Sequence, residues 1–214
     1  MTADRVVYLH GFASGPDSRK ARYFRRLLGE AGITVEIPDL AEGRFRELTI
    51  TRQLDVLAGA CGSGPVMLIG SSLGGYLAAL YAARHPQVRK VVLLAPAFSF
   101  ARHWTQTLGE TAMDEWRQRG AMEVFHYGEN ATRPLGWQFI EDALRYEDSP
   151  DFRQPGLIFH GAQDAVVPVE FSRQFAAAHP NVELQMLDSG HELTDVLQVM
   201  GEETLLFLRR PAAS

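Results

Sequence analysis

A serine, an aspartate and a histidine stand in this chain in an order and in surroundings that suit nucleophilic chemistry. The serine is Ser72, in Gly70-Ser71-Ser72-Leu73-Gly74. Its hydroxyl is a poor nucleophile at neutral pH and needs a base within hydrogen-bond reach. That base needs a third group to fix its tautomer and stabilise the cation it becomes. His191, in Asp188-Ser189-Gly190-His191-Glu192, offers the base. Asp164, in His160-Gly161-Ala162-Gln163-Asp164, offers the carboxylate. Brought together, the three would carry acyl transfer through a covalent serine ester.

The order serine, acid, histidine is the one that accompanies a serine set at a strand-to-helix turn. Seven histidines are present, and their positions separate them. His10 precedes the serine, in the loop after the first strand. His85 and His179 each precede a proline at a helix end, where capping explains them. His103 and His126 fall in an aromatic-rich interval outside that order, and His160 reads as support for the Asp164 loop. Asp188 and Glu192 flank His191 and are the weaker candidates for its orienting acid. The single cysteine, Cys61, lies where a helix runs into a glycine-rich loop and reads as a structural thiol.

The surrounding pattern has to place these side chains. Short apolar runs at Val6–Leu9, Thr34–Ile37, Val66–Ile69, Lys90–Leu94, Leu157–Phe159 and Glu183–Leu187 read as strands. Helical spacing links them, as with Phe24, Leu27, Leu28 and Ala31, or Leu73, Leu77 and Leu80 up to Pro86. A final helix is expected to begin just after His191, through Leu193, Val196, Leu197 and Met200. This alternation predicts an α/β fold, a mainly parallel sheet with helices on both faces. From about residue 98 to 150 the rhythm breaks into a stretch that holds all three tryptophans, Trp104, Trp116 and Trp137. Helices over 100–108, 111–118 and 137–146 and a hairpin turning at Gly128-Glu129-Asn130 are expected there. The reading is one domain, residues 1–214, with a small inserted cap at about 98–150.

An acyl-transfer site also needs donors for the oxyanion of the tetrahedral intermediate. The N–H of Leu73, at the start of the helix, supplies one. The loop His10-Gly11-Phe12 after the first strand supplies the other, through the Phe12 N–H. Composition sets the outer bounds. With 46% hydrophobic and 22% charged residues and a net charge of −5, the chain has the balance of a globular protein and no basic surface for nucleic acid. One cysteine makes a reducing, cytoplasmic setting the expectation. No apolar run reaches the length of a membrane span. The cluster Arg19, Lys20, Arg22, Arg25 and Arg26 reads as the solvated face of the first helix, with phosphate recognition the alternative.

With these residues in view, the chain resembles the α/β-hydrolase superfamily over nearly its whole length. His10-Gly11-Phe12 followed by Ser18-Arg19-Lys20-Ala21, together with Gly70-Ser71-Ser72-Leu73-Gly74-Gly75, resembles the small bacterial YqiA-like esterases. The tryptophan-bearing middle and the loop from Leu157 to Pro168 are similar to the mitochondrial depalmitoylating thioesterases. The resemblance implies hydrolysis of carboxylic esters or thioesters of small acyl substrates through a Ser72 acyl-enzyme, with no cofactor and no metal. The aromatic cap implies an apolar acyl pocket, with Phe98, Trp104 and Trp137 as candidate substrate contacts. The alternatives are a serine peptidase, an acyltransferase, or a ligand-binding protein on the same scaffold.

Overall fold

The computed structural model describes residues 5–211. In chain order the elements are β1 (Arg5–Leu9), α1 (Arg19–Glu30), β2 (Thr34–Glu36), α2 (Ile50–Cys61), β3 (Val66–Ser71), α3 (Leu73–Arg84) and β4 (Val88–Leu94). There follow α4 (Phe100–Arg119), β5 (Ala121–His126), β6 (Ala131–Gly136), α5 (Gln138–Ala143), β7 (Gly156–Gly161), α6 (Val169–Ala178), β8 (Val182–Leu187) and α7 (Leu197–Arg209).

Six strands form one sheet in the order β2-β1-β3-β4-β7-β8, every neighbouring pair parallel. Side chains alternate between its two faces, as a two-residue period demands. Val7, Leu9, Leu68, Val91, Leu93 and Ile158 pack on the side of α2 and α3. Val6, Tyr8, Ile69, Val92, Leu94 and Phe159 pack on the side of α1 and α7. Strands covered on both faces are why these segments are apolar throughout rather than alternating. The chain order reverses between β1 and β3. Loops leaving the carboxyl ends of two such strands diverge and leave a crevice, the usual ligand position in open α/β sheets.

Two helix starts, those of α1 and α2, are fixed by side-chain caps. Ser18 Oγ accepts from the Ala21 N–H, and Thr49 Oγ1 accepts from the Arg52 N–H, each satisfying an orphan donor of a first turn. Between β4 and β7 the chain leaves the sheet to form α4, the antiparallel β5–β6 hairpin and α5. The helix α4 is broken at Gly109, where φ is +76°, a conformation glycine adopts without steric cost. That break separates the two expected helices. The helix expected over 137–146 ends at Ala143, because its last residues tighten into bonds such as Tyr146 N–H to Ala143 O.

The last helix departs further from expectation. It begins at Leu197, not just after His191. Leu193 takes a left-handed φ of +52° and is fully buried. Ser189 Oγ donates to Asp195 Oδ1 at 2.5 Å. The residues after His191 therefore form a folded-in turn before the helix can start. Among the described residues no helix is long and apolar enough to cross a membrane.

Candidate active site

Ser72 sits between β3 and α3 with φ 54° and ψ −118°, a left-handed backbone that costs a residue with a Cβ on the order of 1–2 kcal/mol. The surroundings hold it there. Its N–H donates to Leu94 O at 2.9 Å, and its carbonyl accepts from the N–H groups of Gly75, Tyr76 and Ala97. The turn is so tight that a Cβ on Gly70 would strike the Gly74 carbonyl, and one on Gly74 would strike the carbonyls of Leu9 and His10. Glycine at both positions is thus a packing requirement. The same approach brings the loop after β1 against the elbow, with Gly11 beside Ser72 Cβ.

Three strand ends bring the three expected side chains into contact. His191 Nε2 lies 3.0 Å from Ser72 Oγ, and His191 Nδ1 lies 2.7 Å from Asp164 Oδ2. A carboxylate only accepts, so it fixes the imidazole proton on Nδ1 and leaves the Nε2 lone pair facing the serine hydroxyl. The Asp164 side chain has no solvent exposure, and that of His191 is 13% exposed. Asp188 and Glu192 are exposed, and Asp188 is engaged by Gln163 Nε2 instead.

Asp164 is itself over-determined. Its Oδ1 accepts the N–H groups of Val166 and Val167, each at 2.8 Å. His160 Nε2 lies 3.1 Å from Asp164 Oδ2 and donates to the Val167 carbonyl. Its other nitrogen meets Ser172 Oγ at 2.7 Å, tying the acid loop to α6. Burial alone would raise the Asp164 carboxyl, but the donors of His160, His191 and Val167 together hold it well below the ordinary carboxylate range.

The two backbone donors read from the sequence flank the serine. Among the described residues neither the Phe12 N–H nor the Leu73 N–H is taken by a protein acceptor. His10 is buried and kept neutral chiefly by desolvation. Its Nδ1 bonds the Gly11 carbonyl while its Nε2 accepts from the Leu40 N–H, and so it shapes the Phe12 loop. Burial pushes the Cys61 thiol up to about 11, which keeps it protonated and unreactive.

A cavity of about 140 Å³ opens beside Ser72 between the sheet and the inserted segment. Phe98 and Trp104 line it; Trp137 does not. Trp137 instead packs edge-on against Trp116 at 5.3 Å, with the Arg117 guanidinium 5.0 Å over its ring. The sequence reading passed over Val166, Val167 and Phe171, which complete the cavity wall. An adjacent apolar pair just past the acid, in a loop, was the available signal for the two valines. Lys20 corrects the reading of the basic cluster. Arg19, Arg22, Arg25 and Arg26 are exposed, but Lys20 is only 9% exposed and its Nζ donates to the Glu192 carbonyl at 2.7 Å. Its spacing with Phe24 and Leu28 puts it on the buried stripe of α1.

A six-stranded parallel sheet flanked by helices, with a strained serine at the turn after a central strand, defines the α/β-hydrolase fold. Within it, the chain belongs to the Uncharacterised protein family (UPF0227), whose pattern matches residues 5–206. No curated protein sequence matches the chain. Solved structures do resemble it. Alpha/beta hydrolase domain-containing protein 10 from mouse superposes with a TM-score of 0.81 at 20% identity, covering 97% of this chain and 91% of that one. Est1E from Butyrivibrio proteoclasticus superposes at 0.76 and 20% identity, covering 97% and 89%. One from LipS and LipT, metagenome-derived lipolytic enzymes, gives 0.75 at 18%, covering 97% and 94%. At these identities the likeness is one of fold.

Proposed function

We propose that the protein is a serine hydrolase that cleaves carboxylic ester or thioester bonds of small acyl substrates through an acyl-enzyme on Ser72. One observation carries the reading: an unbroken relay from Ser72 Oγ to His191 at 3.0 Å and on to Asp164 at 2.7 Å, at the mouth of an apolar cavity. The neighbours are in keeping with it, since Est1E has been seen with ferulic acid bound and LipS and LipT are described as lipolytic.

The reaction follows from the geometry. His191 Nε2 takes the Ser72 proton as Oγ forms a bond to the acyl carbon, and the carbonyl electron pair moves onto oxygen. The N–H groups of Phe12 and Leu73 bind that oxyanion, and Asp164 stabilises the imidazolium. When the oxyanion collapses, the bond to the alcohol or thiol breaks and the leaving group takes the proton from His191. Water, losing a proton to the same nitrogen, then attacks the acyl-enzyme, and Ser72 leaves reprotonated with release of the acid.

Purified protein is expected to hydrolyse p-nitrophenyl butanoate, and Ser72→Ala to lower kcat by at least about 10³-fold, as removal of a serine nucleophile does elsewhere. A fluorophosphonate probe should label the parent protein and leave the variant unlabelled. Undiminished hydrolysis by Ser72→Ala would end this assignment.

A further inference from the structure

The cavity beside Ser72 has a neighbour. A second cavity of about 120 Å³ adjoins it, and the two share two walls, Phe98 and Phe171. These walls differ in how firmly they are held. Phe98 is 2% exposed and stacks on Phe175 with centroids 4.3 Å apart at 19°, while Phe175 in turn packs against Phe152. It is part of the core. Phe171 lies in the first turn of α6 and is only partly buried. Its one aromatic partner among the described residues is His103, at 5.8 Å. Of the two shared walls between these spaces of similar size, Phe171 is thus the one of modest packing.

Volume gives the scale of the group that the space can hold. A dry apolar cavity of about 150 Å³ holds one benzene molecule, so the space of about 140 Å³ at Ser72 accommodates an uncharged acyl group of roughly six carbons. Phe171 forms part of the wall of that space. The second cavity is lined in part by Ser99, Ser149 and Gln174, so it can receive a longer chain or one with a polar end once the ring is absent.

We infer that Phe171 is a specificity-determining residue: it closes the acyl pocket and restricts the enzyme to short, uncharged acyl groups by walling off the second cavity. This rests on the hydrolase reading above, and the test separates the two. In the first arm, kcat/KM is measured for p-nitrophenyl esters from acetate to decanoate with the parent protein and with Phe171→Ala. In the second, calorimetry follows binding of the matching ethyl esters to Ser72→Ala and to Ser72→Ala/Phe171→Ala.

The parent activity should fall beyond hexanoate. Phe171→Ala should raise the decanoate-to-butanoate ratio at least about fourfold, the worth of a single buried methylene, and the affinity ratio should move in the same direction. An unchanged ratio in both arms, or a parent protein that already favours decanoate, overturns the inference. A shifted binding ratio with no hydrolysis by the parent keeps the partition and sinks the hydrolase reading. Should Phe171→Ala fail to fold, Phe171→Leu is expected to give a smaller shift in the same direction, and its absence is equally decisive against the partition.

Discussion

Asp164 accepts from two backbone N–H groups and contacts two imidazoles, and its low proton affinity has consequences for both catalysis and stability. Asp164→Asn would offer an amide that can donate, favouring the tautomer with its proton on Nε2, the wrong end for removing a proton from Ser72. Kinetics of the variant should show kcat down about 10⁴-fold with modest change in KM, the loss found when a triad aspartate is so replaced. The stability effect has a definite sign. The folded carboxyl is depressed below its unfolded value, so its contribution is fully present above about pH 4, where the unfolded group ionises. It is lost as pH falls through the lower folded value. Thermal melts between pH 6 and pH 3, on the ordinary buffer scale, should therefore show the parent losing stability more steeply than Asp164→Asn. Parallel curves would mean that the carboxylate is not held as described. Ser72, Asp164 and His191 were readable because each sits in a short local pattern with its own backbone meaning. Phe171 was not: a phenylalanine in a helix has the same sequence signature whether it fills a core or divides two cavities.

The loop after β8 holds His191, and here the strand pattern said less. The central strands β1, β3, β4 and β7 were legible because burial on both faces makes them nearly continuous apolar runs, although β3 and β7 each extend two residues past the expected end, whereas the edge strands β2 and β8 carry exposed residues. The start of α7 was hidden because the periodicity of Leu193, Val196 and Leu197 is helical, while the Leu193 backbone is not. Lys20 braces that turn from α1. Burial pushes its ammonium towards neutrality, opposed by the nearby carboxylates of Glu192 and Asp164, and its bond to the Glu192 carbonyl fixes the residue next to His191. The bond of Lys20 is to a backbone carbonyl and not to a buried carboxylate, so an apolar side chain of similar length in its place strands no buried charge. Lys20→Met should accordingly leave the melting temperature nearly unchanged but lower kcat about tenfold, by analogy with the sensitivity of reacting geometry to small displacements. KM should hold, and amide exchange at residues 190–195 should quicken. A melting temperature that drops with kcat untouched would make Lys20 a core residue only.

The inserted segment is continuous with the body of the protein in its packing, not only in sequence. Trp116, Leu135, Phe139 and Ile140 belong to the same buried cluster as Leu77, Leu80, Val91 and Ile158. Polar contacts cross the same boundary. Asp142 accepts from both the N–H and the hydroxyl of Thr51 at 2.8 Å, capping α2 from α5. Phe12, whose N–H is the proposed oxyanion donor, contacts Trp104 and Phe139, so the insertion also shapes the loop beside the serine. Composition announced the segment by its aromatics, but it could not say whether those rings pack among themselves or on the sheet, since burial is the same in both cases. The placement of the tryptophans makes the question measurable. All three lie between residues 104 and 137, so intrinsic fluorescence reports the insertion, whereas far-ultraviolet circular dichroism is dominated by the helices around the sheet. A shared apolar cluster leaves no surface along which the two could separate without exposing both, so all-or-none unfolding is the expected outcome. Urea titration followed by both signals should give coincident transitions with one midpoint. A fluorescence transition that precedes the loss of helical signal would show instead that the insertion opens on its own, and that the acyl pocket has a lid of independent stability.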